Sequence, residues 1–575
     1  MTGEPWLPMS GFVGTFDGDN HTISNLGAPL CKTTNDGVTI KNLTLEGAIN
    51  STQYRFGAFI CDHLDGELTI TNCVNKTAIT SVNDRTGGFI GNVSAGTVKM
   101  TDCENMANLT STIYNLGGFI GDTSAPSITL TRCYNRGTVT GVGESSVQIA
   151  GIIGTFRGGE NSTLSLISCG NEAAIEGKKN SNSNSNVGGL IAWSTSQTGK
   201  VAYISNCYNI APVVATGNYV GGLAGQISNA SSLVIEDSYN TGDVESDGNN
   251  VYMLCGRMQT AVNGTVTNCW NGGAARGKAS SLLIVSGANV TNSYNLIGSQ
   301  TGVTQVTDAQ LASGEVTYKL NGNSSDGIWR QTLGTDMTPK LTADGDKVYP
   351  FATSGTTPYF VNNESSPVVP AMTLTDMADY DADADFTATS LTYDRTLEAG
   401  GYHSLCLPFK VTTTMLGEGS KLFTLKGKDE NYVTLEETPS VAAGVPCFAS
   451  VTSDFNFNTL KLENVEMKSG VTNGTNLKGT FTNNADLGAG FYKLDPTGTY
   501  FGLTTVGATA TAFRSYIPAP ASGSVKTLNI LLSDGTSLTP TLSEEREAVI
   551  YDLAGRRVTK ATKGLYIING KKVVK

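Results

Sequence analysis

A repeated tripeptide limits most strongly how this chain can fold. A small residue, a variable residue and an asparagine recur as Cys73/Asn75, Cys103/Asn105, Cys133/Asn135, Cys169/Asn171, Cys207/Asn209, Ser238/Asn240, Cys269/Asn271 and Ser293/Asn295. Successive Cys/Ser positions lie 30, 30, 36, 38, 31, 31 and 24 residues apart. A glycine-rich apolar box precedes most of them: GAFIC from Gly57, GGFIG from Gly87 and Gly117, AGIIG from Ala150, GGLIA from Gly188 and GGLAG from Gly221. Such a period belongs to a solenoid, a propeller or a helical array. Short runs broken by glycine and asparagine exclude helices, and a propeller blade needs ~40 residues and four strands. One coil of a parallel β-solenoid per repeat remains.

The residue types suit that stack. Coils ~4.8 Å apart bring identical positions into contact, and about nine would make a rod on the order of 40 Å long. Aligned asparagines can then bond amide to amide along the axis. The paired glycines permit close backbone approach where a side chain would clash. Phe89, Ile90, Phe119, Ile120, Ile152 and Ile153 are expected to fill the core. Insertions such as Gly177 to Asn186 should bulge at one corner without disturbing the stack.

Composition supports β-structure: Gly reaches 67 of 575 residues and charged residues are only 15%. The net charge of −12, without clustered Lys and Arg, argues against nucleic acid as a partner. Eleven cysteines are present, and seven of them, from Cys61 to Cys269 without Cys255, sit in or beside the boxes. Those seven read as small buried residues. Cys406 and Cys447 are the better candidates for a disulfide. No apolar run approaches the ~20 residues needed to span a bilayer, so no transmembrane segment is expected. No basic-then-apolar leader follows Met1, which leaves either a cytosolic protein or one whose leader is not in this chain.

The expected organisation is all-β: a solenoid over 1–300, a cap or connector over 301–350, a linker over 351–373, an antiparallel β-sandwich over 374–540 and a small β unit over 541–575. Asp308 lies near the N-cap of a short helix in the connector, which is read as the cap over the last open coil. Pro358, Pro367 and Pro370 mark the linker. Short alternating runs with frequent turns mark the sandwich.

Three resemblances add to this reading. Phe12 to Leu26, of the form FxGxFDGxxHTIxNL, resembles the opening coil of parallel β-helices in bacterial surface proteins. The boxes and the Cys/Ser-x-Asn signature over roughly 50–300 resemble the GLUG repeat family of secreted and surface-attached bacterial proteins. That likeness implies an adhesin-like role and supplies no catalytic residues. The segment from Ile550 to Val574, through Asp552, Gly555, Arg556, Gly564, Tyr566 and Lys571, resembles sorting domains of the type IX secretion route. It implies outer-membrane surface attachment, a secreted or cell-surface address and a leader absent from this chain.

Candidate chemistry is sparse, and no catalytic, cofactor-binding or metal site is expected. Cys61, Asp62, His63 and Asp65 form the densest reactive cluster, yet neighbours on a strand face opposite ways, so an exposed corner is the better reading. Asp17, Asp19, Asp102 and Arg132 are candidates for the acids and neighbouring base of a polysaccharide lyase or hydrolase, but the repeats show no local acidic cluster departing from the ladder. The run Asp379, Asp381, Asp383 and Asp385 fails as an EF-hand, with Phe386 and Thr392 where Gly and Glu belong. The residue inside the tripeptide is more informative. Tyr134, Tyr208, Tyr239, Trp270 and Tyr294 form either an outward binding face or a file turned inward or covered, the latter because strict alternation from Ile128 and Leu130 puts Tyr134 inside. The expectation is a non-catalytic, adhesin-like protein that binds glycans or host, matrix or cell-surface proteins. A polysaccharide lyase or hydrolase and a structural stalk are the alternatives.

Overall fold

Successive repeats lie directly on one another, each strand paired in parallel with its counterpart one repeat away. The computed structural model describes the chain apart from residues 1–5, 144–146, 180–184, 229–230, 260–262, 281, 285–287, 344, 489, 521–524, 537–549, 552–556, 559–564, 569–570 and 575. It divides into two compact units, Met1–Val348 and Tyr349–Lys575. The first is a parallel β-solenoid, in which a 29-stranded sheet and a 7-stranded sheet wind around one core.

One coil shows how the residues make the turn. Thr86–Gly87 belongs to the short sheet, Ile90–Val93 to the next wall, Thr97–Asn105 to the long wall and Leu109–Ser111 to its continuation. Val98, Met100, Cys103 and Asn105 are buried. Simple alternation would put Cys103 on the outside, and the backbone at Asp102 prevents it. Asp102 has φ 55°, and Asn72, Arg132, Ser168, Asn206, Asp237, Asn268 and Asn292 lie at φ 42–56° in the other coils. This left-handed residue resets the phase, so that two outward residues occur in succession and the following Cys/Ser and Asn both point in. Asn and Asp tolerate that conformation best, and they fill six of these eight positions.

The reset strands a carbonyl two residues before each Cys/Ser, and the small polar side chain answers it. The Cys103 thiol donates to Thr101 O at 3.3 Å, Cys207 to Ser205 O at 3.1 Å and the Ser293 hydroxyl to Thr291 O at 2.9 Å. Cysteine and serine interchange here because each is small and can donate. The asparagine does more. Its amide Nδ2 donates to the next rung, Asn105 to Asn135 at 2.7 Å and Asn135 to Asn171 at 2.7 Å, and also to its own chain two residues on. The ladder runs unbroken from Asn75 to Asn295, with rungs 2.6–3.0 Å apart. An aspartate lacks both donors.

The glycine box is the counterpart of that ladder. A Cβ at Gly118 would lie 1.9 Å from Gly151 O and 2.7 Å from Asn135 Oδ1, and Gly88 meets Gly118 O and Asn105 in the same way. The box glycine thus leaves room for both the neighbouring coil and the ladder amide. Inside, Phe59, Phe89 and Phe119 stack at 4.6 and 4.9 Å. Phe89, Ile90, Phe119, Ile120, Ile152 and Ile153 are fully buried, as expected. Residues 180–184 of the insertion at Gly177 to Asn186 lie outside the described residues.

Past the last full coil, Val303–Gln305 pairs on Ser293–Asn295. Two short helices follow, Asp308–Ala312 and Glu315–Leu320. Thr307 caps the first through a capping box with Gln310, and Asp308 is its first residue.

The second unit is β-rich, with a nine-stranded sheet that runs from Tyr402–Cys406 at one edge to Lys478–Thr480 at the other. Its pairing is mostly antiparallel, but Tyr432–Thr438 lies parallel to Thr527–Leu532, and Val368–Leu374 parallel to Phe386–Tyr393. Two expectations need correction. The stretch 351–373 is folded, not a linker: its strands bury Phe351, Val361, Val369 and Met372 in the unit's core. Pro358 and Pro370 sit on edge strands of three-stranded sheets, where a missing N–H is tolerated, and Pro367 directly precedes the strand Val368–Leu374. Cys406 and Cys447 are free thiols, as are the other nine cysteines. Burial raises both, Cys447 to about 12. At the C-terminus, Ile550–Tyr551, Arg557–Val558, Leu565–Ile568 and Lys571–Val574 form one antiparallel sheet. Asp552, Gly555, Arg556 and Gly564 of the sorting-like motif lie outside the described residues.

Candidate functional site

The outward positions beside the short sheet form two columns that face each other across a groove. One column holds Asn115, Gln148, Asn186, Tyr219 and Asn250, paired in register from coil to coil. The other holds Asp62, Asn92, Asp122, Thr155, Trp193, Gln226 and Arg257, likewise in register. The second column is the residue that follows each apolar box, so every coil contributes one. The backbone of the box places it, and the groove varies while the frame repeats.

Toward the N-terminal coils the groove satisfies itself. Arg55 pairs with Asp62 at 2.5 Å, and Asp62 accepts from Asn92 at 2.7 Å and Ser94 at 2.9 Å. Asp122, whose side chain is 1% exposed, takes Arg157 at 2.7 Å and Arg85 at 3.4 Å on Oδ2. Asn115 Nδ2 reaches both Asp84, at 3.0 Å, and Asp122, at 3.1 Å. Burial pushes the Asp122 carboxyl up, against the two guanidiniums, and its Oδ1 has no hydrogen-bond partner.

Toward the C-terminal coils the groove opens into a cavity of about 570 Å³. Tyr114, Gln148, Trp193, Tyr219, Gln226 and Arg257 line it, with Arg157 at the acidic end. Arg157 lies over the Trp193 ring at 5.6 Å, and Arg257 over Tyr219 at 4.6 Å. Trp193 Nε1 is held by Ser228 Oγ at 2.9 Å. Asn186 lines the same cavity and its buried Oδ1 has no partner. Beneath Arg157, Lys200 is fully buried, its Nζ donating to Phe156 O, Thr195 O and Thr195 Oγ1 at 2.9–3.2 Å. Burial first, and Arg157 second, lower it to about 8.

The aromatic file lies on another wall and points outward, because the left-handed residue at Arg132 and its equivalents resets the alternation. Tyr208, Tyr239 and Trp270 stack at 5.4 Å ring to ring. The connector then covers its far end: Leu311, Val316, Leu320 and Trp329 pack on Trp270 and Tyr294, which are 1% and 7% exposed, with Tyr239 at the margin. Tyr134 and Tyr208 remain half-buried and line a cleft of about 470 Å³ with Ile328, Arg330 and Leu341. Tyr208 donates to Glu172 at 2.6 Å, and Arg136 bridges Glu104 and Glu172. Rings stacked on one another offer a ligand their edges, whereas a sugar needs a face.

Cys61, Asp62 and His63 are not at an exposed corner as expected: the whole strand Ile60–His63 is buried. Burial raises the Cys61 thiol to about 11, and His63 is occupied by Thr34 Oγ1 at 3.0 Å and Gly66 O at 3.3 Å. Asp102 and Arg132 form an exposed bidentate pair at 2.6 and 2.9 Å. Asp385 binds Lys468 and Ser469, and Asp379 accepts from Asn483 N, so these two members of the acidic run tie down segments distant in sequence. Among the described residues, no group of three or more His, Cys, Asp or Glu is placed to hold a metal ion. No helix there is long and apolar enough to cross a membrane. No protein-family model, curated protein or solved structure matches this chain.

Proposed function

We propose that this chain is a non-catalytic, secreted or surface-attached binding protein whose solenoid groove takes a glycan strand. The observation that carries this reading is the open stretch of groove lined by Tyr114, Gln148, Trp193, Tyr219, Gln226 and Arg257. Amide and guanidinium groups suit sugar hydroxyls, and the exposed Tyr114 ring and half-buried Trp193 ring suit the apolar faces of sugar rings. Spacing supports it too. The coil rise of ~4.8 Å is close to the length of one sugar ring and its bridging oxygen, so each coil can address one unit of an extended chain. The likeness of the repeats to GLUG surface proteins, and of the last segment to sorting domains, is in keeping with a surface role.

The test is a glycan array probed with the full chain and with a Trp193→Ala/Tyr219→Ala variant. Binding to an extended glycan that the double variant loses supports the reading. Equal binding by both proteins, or no glycan bound by either, sinks it. Surface attachment is tested by deleting residues 545–575, and delivery that continues unchanged rejects a sorting role.

One observation favours a second reading, a glycan-cleaving enzyme. Asp84 and Asp122 share Asn115 and Arg85, and the raised Asp122 has the character of a general acid. Binding ranks first because Asp122 is sealed beneath its arginines, and a general acid must reach the leaving oxygen. Release of reducing ends or unsaturated products from a bound polysaccharide, abolished by Asp122→Asn, reverses that order.

A further inference from the structure

The second unit contains a cavity of about 580 Å³ walled by the buried Arg395 and the partly buried Arg514. Arg514 forms a two-pronged pair with Asp376, at 2.8 Å to Oδ1 and 2.7 Å to Oδ2. Tyr393 donates to the same carboxylate at 2.7 Å. Arg395 is 6% exposed and lies 4.0 Å from Asp376 Oδ2, while its Nη2 donates to Ser404 O at 3.2 Å. Its Nη1 is buried and has no hydrogen-bond partner. Two guanidiniums therefore share one carboxylate, and one arm of the second is unused. Asp495, also on the wall, is turned to its own loop, where its oxygens accept from the backbone N–H groups of Thr497, Thr499 and Tyr500, and the ion pairs of both arginines go to Asp376. Lys493 adds a further cation at the exposed rim.

A buried cation in excess of its anions is costly unless something neutralises it. The backbone is strained beside both charged partners: Met377, next to Asp376, has φ 58°, and Phe513, next to Arg514, has φ 61°. Bulky residues in that region persist only where the surroundings impose them, and such strain gathers at ligand sites. The rest of the wall is hydroxyl-rich and aromatic, with Tyr402, Tyr500, Thr504 and Thr505.

We propose that this cavity binds the carboxylate of an acidic sugar, such as a uronic or sialic acid, with Arg395 Nη1 as the donor to the carboxylate. A single free guanidinium arm fits a carboxylate, and the tyrosines and threonines fit a ring bearing hydroxyls. A phosphate would call for more free donors than the cavity supplies. The site is separate from the solenoid groove and stands whether or not that groove binds glycan.

The test is calorimetric titration of the full chain with glucuronic acid and N-acetylneuraminic acid, with glucose and inorganic phosphate as references. The acidic sugars should bind roughly tenfold or more tightly than glucose, the loss expected for a missing charge-assisted hydrogen bond. Phosphate should compete poorly. Arg395→Met should remove the preference for acid. Because Arg395 is buried, Tyr500→Ala at the rim gives a second variant that leaves the ion network intact, and it should weaken both sugars about fivefold through lost ring contact. The preference for acid over glucose should persist in Trp193→Ala, a change confined to the groove. Equal affinity for glucose and glucuronic acid, tighter binding of phosphate, or unchanged binding in folded Arg395→Met overturns the proposal.

Discussion

Two columns of side chains run through the same coils and behave oppositely. The inner column is asparagine at every rung from Asn75 to Asn295, while the groove column passes through Asp62, Asn92, Asp122, Thr155, Trp193, Gln226 and Arg257. Both are stacked by the same backbone pairing. The difference lies in what each rung needs from the next. An inner asparagine gives and receives an amide hydrogen bond along the axis, so its neighbours must carry the same group. A groove residue has no such identical demand: Asp62 and Asn92, or Asp122 and Arg157, pair as unlike groups, and Trp193 and Arg257 at the open end are only half-buried. Repetition here marks structural coupling, and variation within the repeat marks the surface free to acquire specificity.

Breaking the inner column should have the largest effect. Asn135→Ala removes its bonds to Asn105, Asn171 and Gly137 O, and leaves one Asn105 amide proton without an acceptor and Asn171 Oδ1 without its ladder donor in the core. We expect about 3–5 kcal/mol of destabilisation in urea unfolding, against about 1 kcal/mol for an exposed hydrogen bond. A loss near 1 kcal/mol would mean the ladder is incidental to the stack. Gly118→Ala attacks the same interface from the box side. Its methyl group would overlap Gly151 O, and a cost of ~1–3 kcal/mol is expected on the same measurement.

Lys200 gives a pH signature. Its folded value of about 8 lies below the ~10.4 of an unfolded lysine, so between those values the unfolded chain binds more protons. Its contribution should therefore favour folding increasingly as pH rises from about 8 to 10.4, by at most about 3 kcal/mol, and penalise it fully below that window. Comparing unfolding of wild type and Lys200→Met across the window isolates the term, and parallel curves would refute it. The groove column should respond less in stability: Trp193→Ala/Tyr219→Ala should cost ~1–3 kcal/mol, mostly at the buried Tyr219, while abolishing ligand binding. Cys133→Ser should be smaller still in its consequences, since Ser238 and Ser293 already serve that position, with a shift of ~1 kcal/mol or less in thermal unfolding.

The inner column was legible because identical residues at a fixed interval leave few geometries open. The box glycines were legible for the same reason, although their partner, the ladder amide, was not. Two features escaped. The Asn or Asp before six of the eight Cys/Ser residues, as in Asn72, Asp102 and Asn206, was visible and is the signal for the left-handed bend, which Arg132 makes in the coil that turns Tyr134 outward. The residue after each box, Trp193 and Gln226 among them, was also visible, but its variation carried no meaning until the coils were in register. The aromatic file drew attention because its types agree, yet agreement there reflects ring stacking and cover by Trp329 and Leu311. In the second unit, the pairing of Asp376 with Arg514 spans 138 residues, and no local pattern announces it.

From the sequence alone, the repeat interval, the Asn ladder, the glycine boxes and the all-β character followed, because each is a local demand repeated at every coil. Only the tertiary structure decided which outward column stays open and which the connector covers, that the proline-rich stretch 351–373 folds into strands, and that Arg395 keeps a guanidinium arm unpaired. Those outcomes depend on which distant segments meet, and local spacing does not encode that meeting.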